Sequence, residues 1–205
     1  NKTATIFSYT EKGMTPVFVV SAGTHFVAKR RMSRHKDYQC IGLTDGNEGW
    51  IKKEDVQEKL PGPLKENIRE SIAQTSMLFL GLPYLWGGRS TLTGVDCSGL
   101  TNLVYRIHNI QIPRNACDQK GAAKEIDSTH LRKADLIFVS AEDSFDTITH
   151  VMLYLEEDAF IEASETGSVV KVTTFKEKFG LTLARLSKKD FVTEKKKISF
   201  GTAIE

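Results

Sequence analysis

A cysteine that follows a glycine-rich loop and opens a helix is placed for nucleophilic chemistry. Gly81-Leu82-Pro83-Tyr84-Leu85-Trp86-Gly87-Gly88, and then Gly94-Val95-Asp96-Cys97-Ser98-Gly99-Leu100, has that form. A helix N-terminus carries roughly half a positive charge, together with N–H groups that lack an intrahelical acceptor. A thiolate there is stabilised, and its pKa falls below the free value of about 8.5. The same N–H groups can receive the oxyanion that forms when a carbonyl is attacked. The glycines permit close backbone approach. The competing reading of Cys97 is a small buried residue without chemistry.

A cysteine nucleophile needs a base, and the base needs a group that orients it. The chain has five histidines. His25 and His35 sit among basic residues near the N-terminus and read as surface positions. His108 lies at the far end of the helix that Cys97 opens, roughly 16 Å away at about 1.5 Å per residue, and cannot serve it. His130 falls in a polar connector. His150 opens an apolar run expected to be a central strand. Glu162, on the next strand, interrupts Phe160-Ile161 and Ala163, and a carboxylate inside a strand is costly unless paired. Pairing to His150 would hold the ring in one tautomer and favour its protonated form. The bland readings are a satisfied structural histidine and a solvent-facing glutamate. Cys97, His150 and Glu162 lack the closely spaced pairs of a zinc site, so neither metal nor cofactor is expected.

Those residues need elements to hold them. Residues 1–57 read as short strands: Val17 to Val20, Phe26 to Ala28, Gln39 to Leu43, then the turn Asp45-Gly46-Asn47 before Trp50-Ile51. They suggest a small barrel. Leu60-Pro61-Gly62-Pro63 punctuates the chain, which divides into residues 1–60 and 61–205. Leu64, Ile68, Ile72 and Leu80 recur near helical spacing, with Gly81 and Pro83 as the stop. A second helix is expected from Cys97 to about Asn109, and a third over Ala116 to Ile126. From Asp135 the pattern changes to consecutive strands at Leu136 to Val139, His150 to Leu155, Ala159 to Ala163 and Val169 to Val172. Leu181 to Ala184 is a candidate last strand, and Lys188-Lys189 and Lys195-Lys196-Lys197 decorate a polar tail. Helices followed by a run of strands mean an α+β fold.

Composition excludes several classes. With 28 basic and 26 acidic residues, no global field points to nucleic acid. Lys29-Arg30-Arg31, with Arg34 and Lys36, is a solvated face or a contact for an anionic polymer. No stretch approaches the roughly 18 uninterrupted apolar residues of a membrane span. The chain starts at Asn1, with no signal peptide visible. Three cysteines do not suggest a disulfide framework. Cys40 is expected in a core and Cys117 partly buried on a helix. A monomer is expected.

Pro83-Tyr84-Leu85-Trp86-Gly87-Gly88 with Asp96-Cys97-Ser98-Gly99-Leu100 resembles the signature of the NlpC family of bacterial cell-wall cysteine peptidases. Ile112-Pro113-Arg114 with Asp118-Gln119 is similar to a further segment of that family. So is Lys133-Ala134-Asp135-Leu136-Ile137-Phe138, where the family has Pro-Gly before the Asp. Thr149-His150-Val151 and Phe160-Ile161-Glu162-Ala163-Ser164 match its His-containing hairpin. The N-terminal part, ending Gly49-Trp50-Ile51 and Asp55-Val56, resembles a bacterial SH3-like domain. The resemblance implies a papain-like core, helices packed on an antiparallel sheet, preceded by a small SH3-like barrel. It implies Cys97 as nucleophile, His150 as base and Tyr84 as an oxyanion donor. Asp96 and Ser98 would bind the amine of an N-terminal L-alanine. Glu162 departs from the family, which usually has His there; a carboxylate can still orient His150. The loop from Tyr84 to Cys97 is one residue longer than usual, around Thr91-Leu92-Thr93. Tyr38 and Glu48 are the candidates for residues of the SH3-like part that close the pocket.

The function implied is hydrolysis of the γ-D-glutamyl-diamino acid bond in murein stem peptides, with peptidoglycan as the partner. Wall remodelling in the envelope and recycling in the cytoplasm both fit. The alternatives are a wall-binding module that has lost catalysis, and a related thiol amidase or acyltransferase.

Overall fold

The computed structural model describes residues 1–11, 13–30, 36–57, 66–141, 144, 146–185, 191–192 and 196–204. Leu60 to Leu64, Arg31, Arg34, His35, Lys188, Lys189 and Lys195 lie outside the described residues. The chain divides into two units, Asn1–Pro63 and Leu64–Glu205.

The first unit is an antiparallel sheet of β1 (Thr3–Thr10), β2 (Gly13–Ser21), β3 (Val27–Ala28), β4 (Tyr38–Gly42) and β5 (Glu48–Lys52), in the order β2-β1-β5-β4-β3. Its core is Ile6, Ile41 and Ile51, with Cys40 also buried. The Asp45 side chain accepts from Asn47 N at 3.0 Å in the turn before β5, where Gly46 has φ 84°. Two expectations change. β1 was not anticipated, because Thr3 to Thr10 mixes polar and apolar residues along one strand. Val17, Phe18 and Val19 form a strand, as expected, but lie exposed on the edge strand β2.

The second unit holds α1 (Ile68–Met77), the two-residue pair β6 (Arg89–Ser90) and β7 (Gly94–Val95), α2 (Cys97–Ile107), α3 (Ala116–Ala122), β8 (Lys124–Ile126), β9 (Leu136–Ser140), β10 (Ile148–Glu156), β11 (Ala159–Glu162), β12 (Lys171–Thr174), α4 (Phe175–Phe179), β13 (Phe191–Val192) and β14 (Lys197–Thr202). Seven strands form one antiparallel sheet in the order β12-β11-β10-β9-β14-β13, with β8 also paired to β14. β9 to β12 are the expected consecutive strands, except that the last runs over Lys171–Thr174 and not Val169 to Val172, with Val169 making only an isolated bridge to Pro83.

Both faces of this sheet are covered. Leu136, Phe138, Val151, Leu153 and Ile161 pack with Ile72, Leu100, Leu103 and Val104 of α1 and α2. The alternate positions Ile137, Val139, Met152, Tyr154 and Phe160 pack with Phe175 of α4, and with Ile198 and Phe200. Thr174-Phe175-Lys176-Glu177 starts α4 with a reciprocal capping box, and Gly180, at φ 76°, ends it. Arg69 on α1 pairs with the fully buried Asp135 at 2.6 Å, and donates to the Thr202 hydroxyl at 2.9 Å. Just before Asp135, Ala134 has φ 69°, the left-handed conformation that glycine prefers.

Several boundaries differ from expectation. The third helix stops at Ala122, because Lys124 to Ile126 pair with Phe200 to Thr202 of β14. Leu181 to Ala184 is not a strand; Leu183–Arg185 is a single helical turn. The last strand is β14, which begins at Lys197 inside the supposed polar tail and buries Ile198, Ser199 and Phe200 beside β9. In α1 the buried side is Ile68, Ile72 and Ala73, and Phe79 continues it, while Leu80 is partly exposed.

Candidate active site

Asp96 sits immediately before α2, in extended backbone, and its Oδ1 accepts from Gly99 N at 2.6 Å. This N-cap places Cys97 at the first helical position. Gly99 N and Leu100 N are taken by Asp96. The N–H groups of Cys97 and Ser98 have no acceptor within the helix, by the geometry of a helix start. Gly88 O receives Asp96 N at 3.0 Å, which ties the glycine loop to the helix. A Cβ on Gly99 would stand 2.1 Å from that same Gly88 oxygen, so only glycine allows the loop this close.

The candidate base, His150, comes from β10. Between Ile148 and His150 the ladder to β9 slips by one residue, a bulge that sets His150 at the end of the regular pairing. On the other side Leu153 is opposite Ile161, so continuing that register puts Met152 opposite Glu162 and His150 on the diagonal. Diagonal neighbours are within reach of long side chains. His150 Nε2 lies 2.7 Å from Glu162 Oε2. The ring's other nitrogen is left for the sulfur of Cys97, to which His150 is joined by a side-chain hydrogen bond. The Val151 N–H also points to that sulfur.

Charges follow from this arrangement. Burial pushes the Cys97 thiol up, but the His150 hydrogen bond and charge, with the Val151 N–H, hold it below its ordinary value. Burial pushes His150 down, and its bonds to Cys97 and Glu162 outweigh this and raise it. Burial would raise Glu162, yet His150 and Lys178 bring it down to about 2. The three groups therefore favour thiolate, imidazolium and carboxylate. Glu162 is 1% exposed, and each oxygen is occupied: Oε1 accepts from the Thr173 hydroxyl at 3.1 Å, and Oε2 from Lys178 Nζ at 2.5 Å. Lys178 and Thr173 were not found from the sequence. One lysine among three charged residues of Phe175 to Phe179 carries no signal of its target.

The remaining predicted residues fall around the sulfur. Tyr84 is half-buried, and burial, then the nearby Cys97 and Asp96, push its phenol up. Its backbone N–H donates to Ser168 O at 2.9 Å. Arg114 grips the Asp96 carboxylate with both ends, at 3.0 and 2.8 Å, and donates to Ser98 Oγ at 2.9 Å. With Gly87 N, Gly99 N and the Ser98 hydroxyl, Asp96 accepts five hydrogen bonds. Gln119, 1% exposed, donates to Ser98 O and Pro113 O and accepts from the Thr101 hydroxyl. Arg114 and Gln119, from the Ile112-Pro113-Arg114 and Asp118-Gln119 segments, thus brace the start of α2.

The other candidates lie elsewhere. His108 caps the end of α2 and meets the Thr75 hydroxyl at 2.8 Å. His130 is exposed, 3.8 Å from Asp127. Cys117 is exposed rather than partly buried, and its thiol lies 3.3 Å from Ile148 O at the start of β10. Tyr38 and Glu48 are on β4 and β5 of the first unit. Among the described residues, no group of three or more His, Cys, Asp or Glu side chains is arranged to hold a metal, and no helix is long and apolar enough to cross a membrane.

Residues 81–188 match the model of the NlpC/P60 family. The chain is 33% identical over 135 residues to a protein named gamma-D-glutamyl-L-lysine dipeptidyl-peptidase from Bacillus cereus, covering 63% of this chain and 39% of that one. It is 34% identical over 130 residues to the protein of the same name from Bacillus subtilis, covering 63% and 43%. It thus spans about two fifths of the length of these relatives. A solved NlpC/P60 family protein from Bacillus cereus shares the fold, with a TM-score of 0.73 over 98% of this chain and 61% of the other, at 23% identity. The family match takes in the cysteine helix, the histidine strand and the glutamate strand together and covers more than half of the sequence, and on that ground the chain belongs to the NlpC/P60 family.

Proposed function

We propose that this protein is a thiol endopeptidase that hydrolyses the γ-D-glutamyl-diamino acid bond of peptidoglycan stem peptides. The observation that carries the reading is the group at Cys97: a sulfur at a helix start, coupled to a histidine that a buried carboxylate holds at 2.7 Å. The names of the two Bacillus relatives support the choice of bond.

In this reading the Cys97 thiolate attacks the γ-carbonyl carbon of D-glutamate. The oxygen that takes up the charge is received by the Cys97 N–H and the Tyr84 hydroxyl. His150 gives its proton to the diamino acid nitrogen, the C–N bond breaks, and a thioester remains. His150 then takes a proton from water as the water attacks the thioester, and the sulfur leaves as thiolate. Glu162 keeps the ring oriented and stabilises its charged form throughout.

The finer element is an L-alanine with a free amine at the substrate's N-terminus. Its support is the Asp96 carboxylate and the Ser98 hydroxyl, which flank the nucleophile in sequence. Arg114 already shares both carboxylate oxygens, so the amine competes with it for acceptors. The five-stranded first unit is read as an SH3-like domain, supported by its small antiparallel sheet and the resemblance of its closing segment.

The test is digestion of L-Ala-γ-D-Glu-L-Lys and its diaminopimelate counterpart, each with free and acetylated N-termini, followed by mass spectrometry. The wild type is expected to release L-Ala-D-Glu from the free peptides, and Cys97→Ala to release none. Full turnover by Cys97→Ala would remove the nucleophile, and equal rates on acetylated peptides would remove the amine subsite. Transfer of an acyl group in place of hydrolysis, or binding without turnover, would favour the acyltransferase or wall-binding alternative.

A further inference from the structure

We propose that Lys178 is a positioning residue of the catalytic group, the resident counter-cation of Glu162 that moderates how firmly this carboxylate holds His150. The inference rests on the peptidase reading and deepens it.

Two cations converge on one oxygen. His150 Nε2 at 2.7 Å and Lys178 Nζ at 2.5 Å both meet Glu162 Oε2. The other oxygen is occupied by the Thr173 hydroxyl. A thiolate, an imidazolium and a carboxylate sum to one negative charge, centred on a carboxylate that is 1% exposed. Burying uncompensated charge is unfavourable. The Lys178 ammonium brings the sum to zero. Its delivery is built into the fold: Phe175 and Phe179 seat α4 against Phe160, with ring centroids 5.2 and 6.3 Å away, and Lys178 reaches from that helix to the strand that carries Glu162.

The other charged or titratable groups around His150 can be named. Cys97 and Asp96 come from the start of α2, and Tyr84 from the loop before it. Cys117 on α3 binds the Ile148 carbonyl. Lys171, exposed on β12, stands opposite Glu162. β9, the other neighbour of β10, brings only Leu136 to Ser140 and no titratable group. Lys178 is thus the cation directly on the carboxylate that His150 uses. Its charge pushes against the imidazolium, opposite to the pull of Glu162. Sharing Oε2 weakens that pull, so the ring can release its proton to the leaving amine.

The experiment compares wild type with Lys178→Gln, Lys178→Met and Lys178→Arg. The first readout is NMR titration of the His150 imidazole, assigned by its loss in His150→Gln. The second is the alkaline limb of kcat/KM on L-Ala-γ-D-Glu-L-Lys. Without the lysine charge, Gln and Met should move both midpoints up by about one pH unit, while Arg leaves them in place. Lys178 is 24% exposed and its Met replacement keeps the stem, so these variants should fold, which melting curves check. If the Gln and Met midpoints coincide with wild type, or Arg shifts as they do, the ion pair only fastens α4 and the proposal fails. The imidazole titration needs no turnover. A shifted titration without hydrolysis of any peptide would remove the substrate reading alone, and normal hydrolysis with an unmoved titration would remove this inference alone.

Discussion

In the proposed peptidase, Glu162 is the residue on which the chemistry turns. As a carboxylate at 2.7 Å it stabilises the His150 imidazolium, and with it the Cys97 thiolate. Glu162→Gln keeps the shape and an acceptor oxygen but removes the charge. We expect kcat/KM to fall by roughly 100-fold, on the scale of a disabled acid–base group. The sign of the pH effect is opposite to that of Lys178→Gln. Without the carboxylate His150 loses a cause of its raised pKa, so the alkaline limb should move to lower pH. A pH–rate profile settles this, and an unmoved limb would show that the ring's protonation owes nothing to Glu162. Cys97, His150 and Glu162 were legible because each is a reactive or costly type in an apolar setting. Arg114 and Lys178 act on charges already in place, and their partners are 18 and 16 residues away in the chain.

At the scale of elements, the site depends on how closely the glycine loop approaches α2. A Cβ on Gly99 would meet Gly88 O at 2.1 Å and Asp96 Oδ1 at 2.9 Å. Backbone and cap must shift together, so Gly99→Ala should destabilise the second unit by about 3 kcal/mol, the upper end for overpacking. It should also slow alkylation of Cys97, since the helix start is what the thiolate uses. Denaturant unfolding and mass-spectrometric mapping of the modified cysteine measure the two effects; a stable variant with a normal thiol would mean the loop relaxes freely. The elements that local pattern misplaced have a common cause. Lys124 to Ile126 continue a helical composition, yet pairing with Phe200 to Thr202 makes them a strand. Lys197 begins a lysine-flanked run that reads as solvated, but Ile198 and Phe200 find their apolar partners on β9.

At the scale of the whole molecule, titration of the site couples to stability. Glu162 has an ordinary value of 4.5 and is held at about 2, so its contribution is complete above pH 4.5 and is lost as pH falls toward 2. At about 1.4 kcal/mol per pKa unit, the loss is about 3 kcal/mol. His150 is raised above 6.5, so its contribution is complete below that value and is lost as pH rises through the folded-state pKa. The stability that Glu162 and His150 together contribute to the second unit should therefore be greatest between pH 4.5 and 6.5, while the lowered Cys97 thiol adds a contribution that grows as pH rises toward its ordinary value. Denaturant melts across pH should also show the gap between wild type and Glu162→Gln narrowing below pH 4.5; a constant gap would mean that Glu162 is not ionised by its partners. The sequence by itself determined the α+β order, the helix that opens at Cys97 and the strands that carry His150 and Glu162. Side-chain type, turn residues and hydrophobic period are local properties, and they suffice for that. Only the tertiary structure decided that β14 enters the sheet beside β9, that Arg114 occupies Asp96, and that Lys178 shares an oxygen with His150. Each of these joins residues far apart in the chain, and burial of a face or a charge selects them only once the sheet has closed.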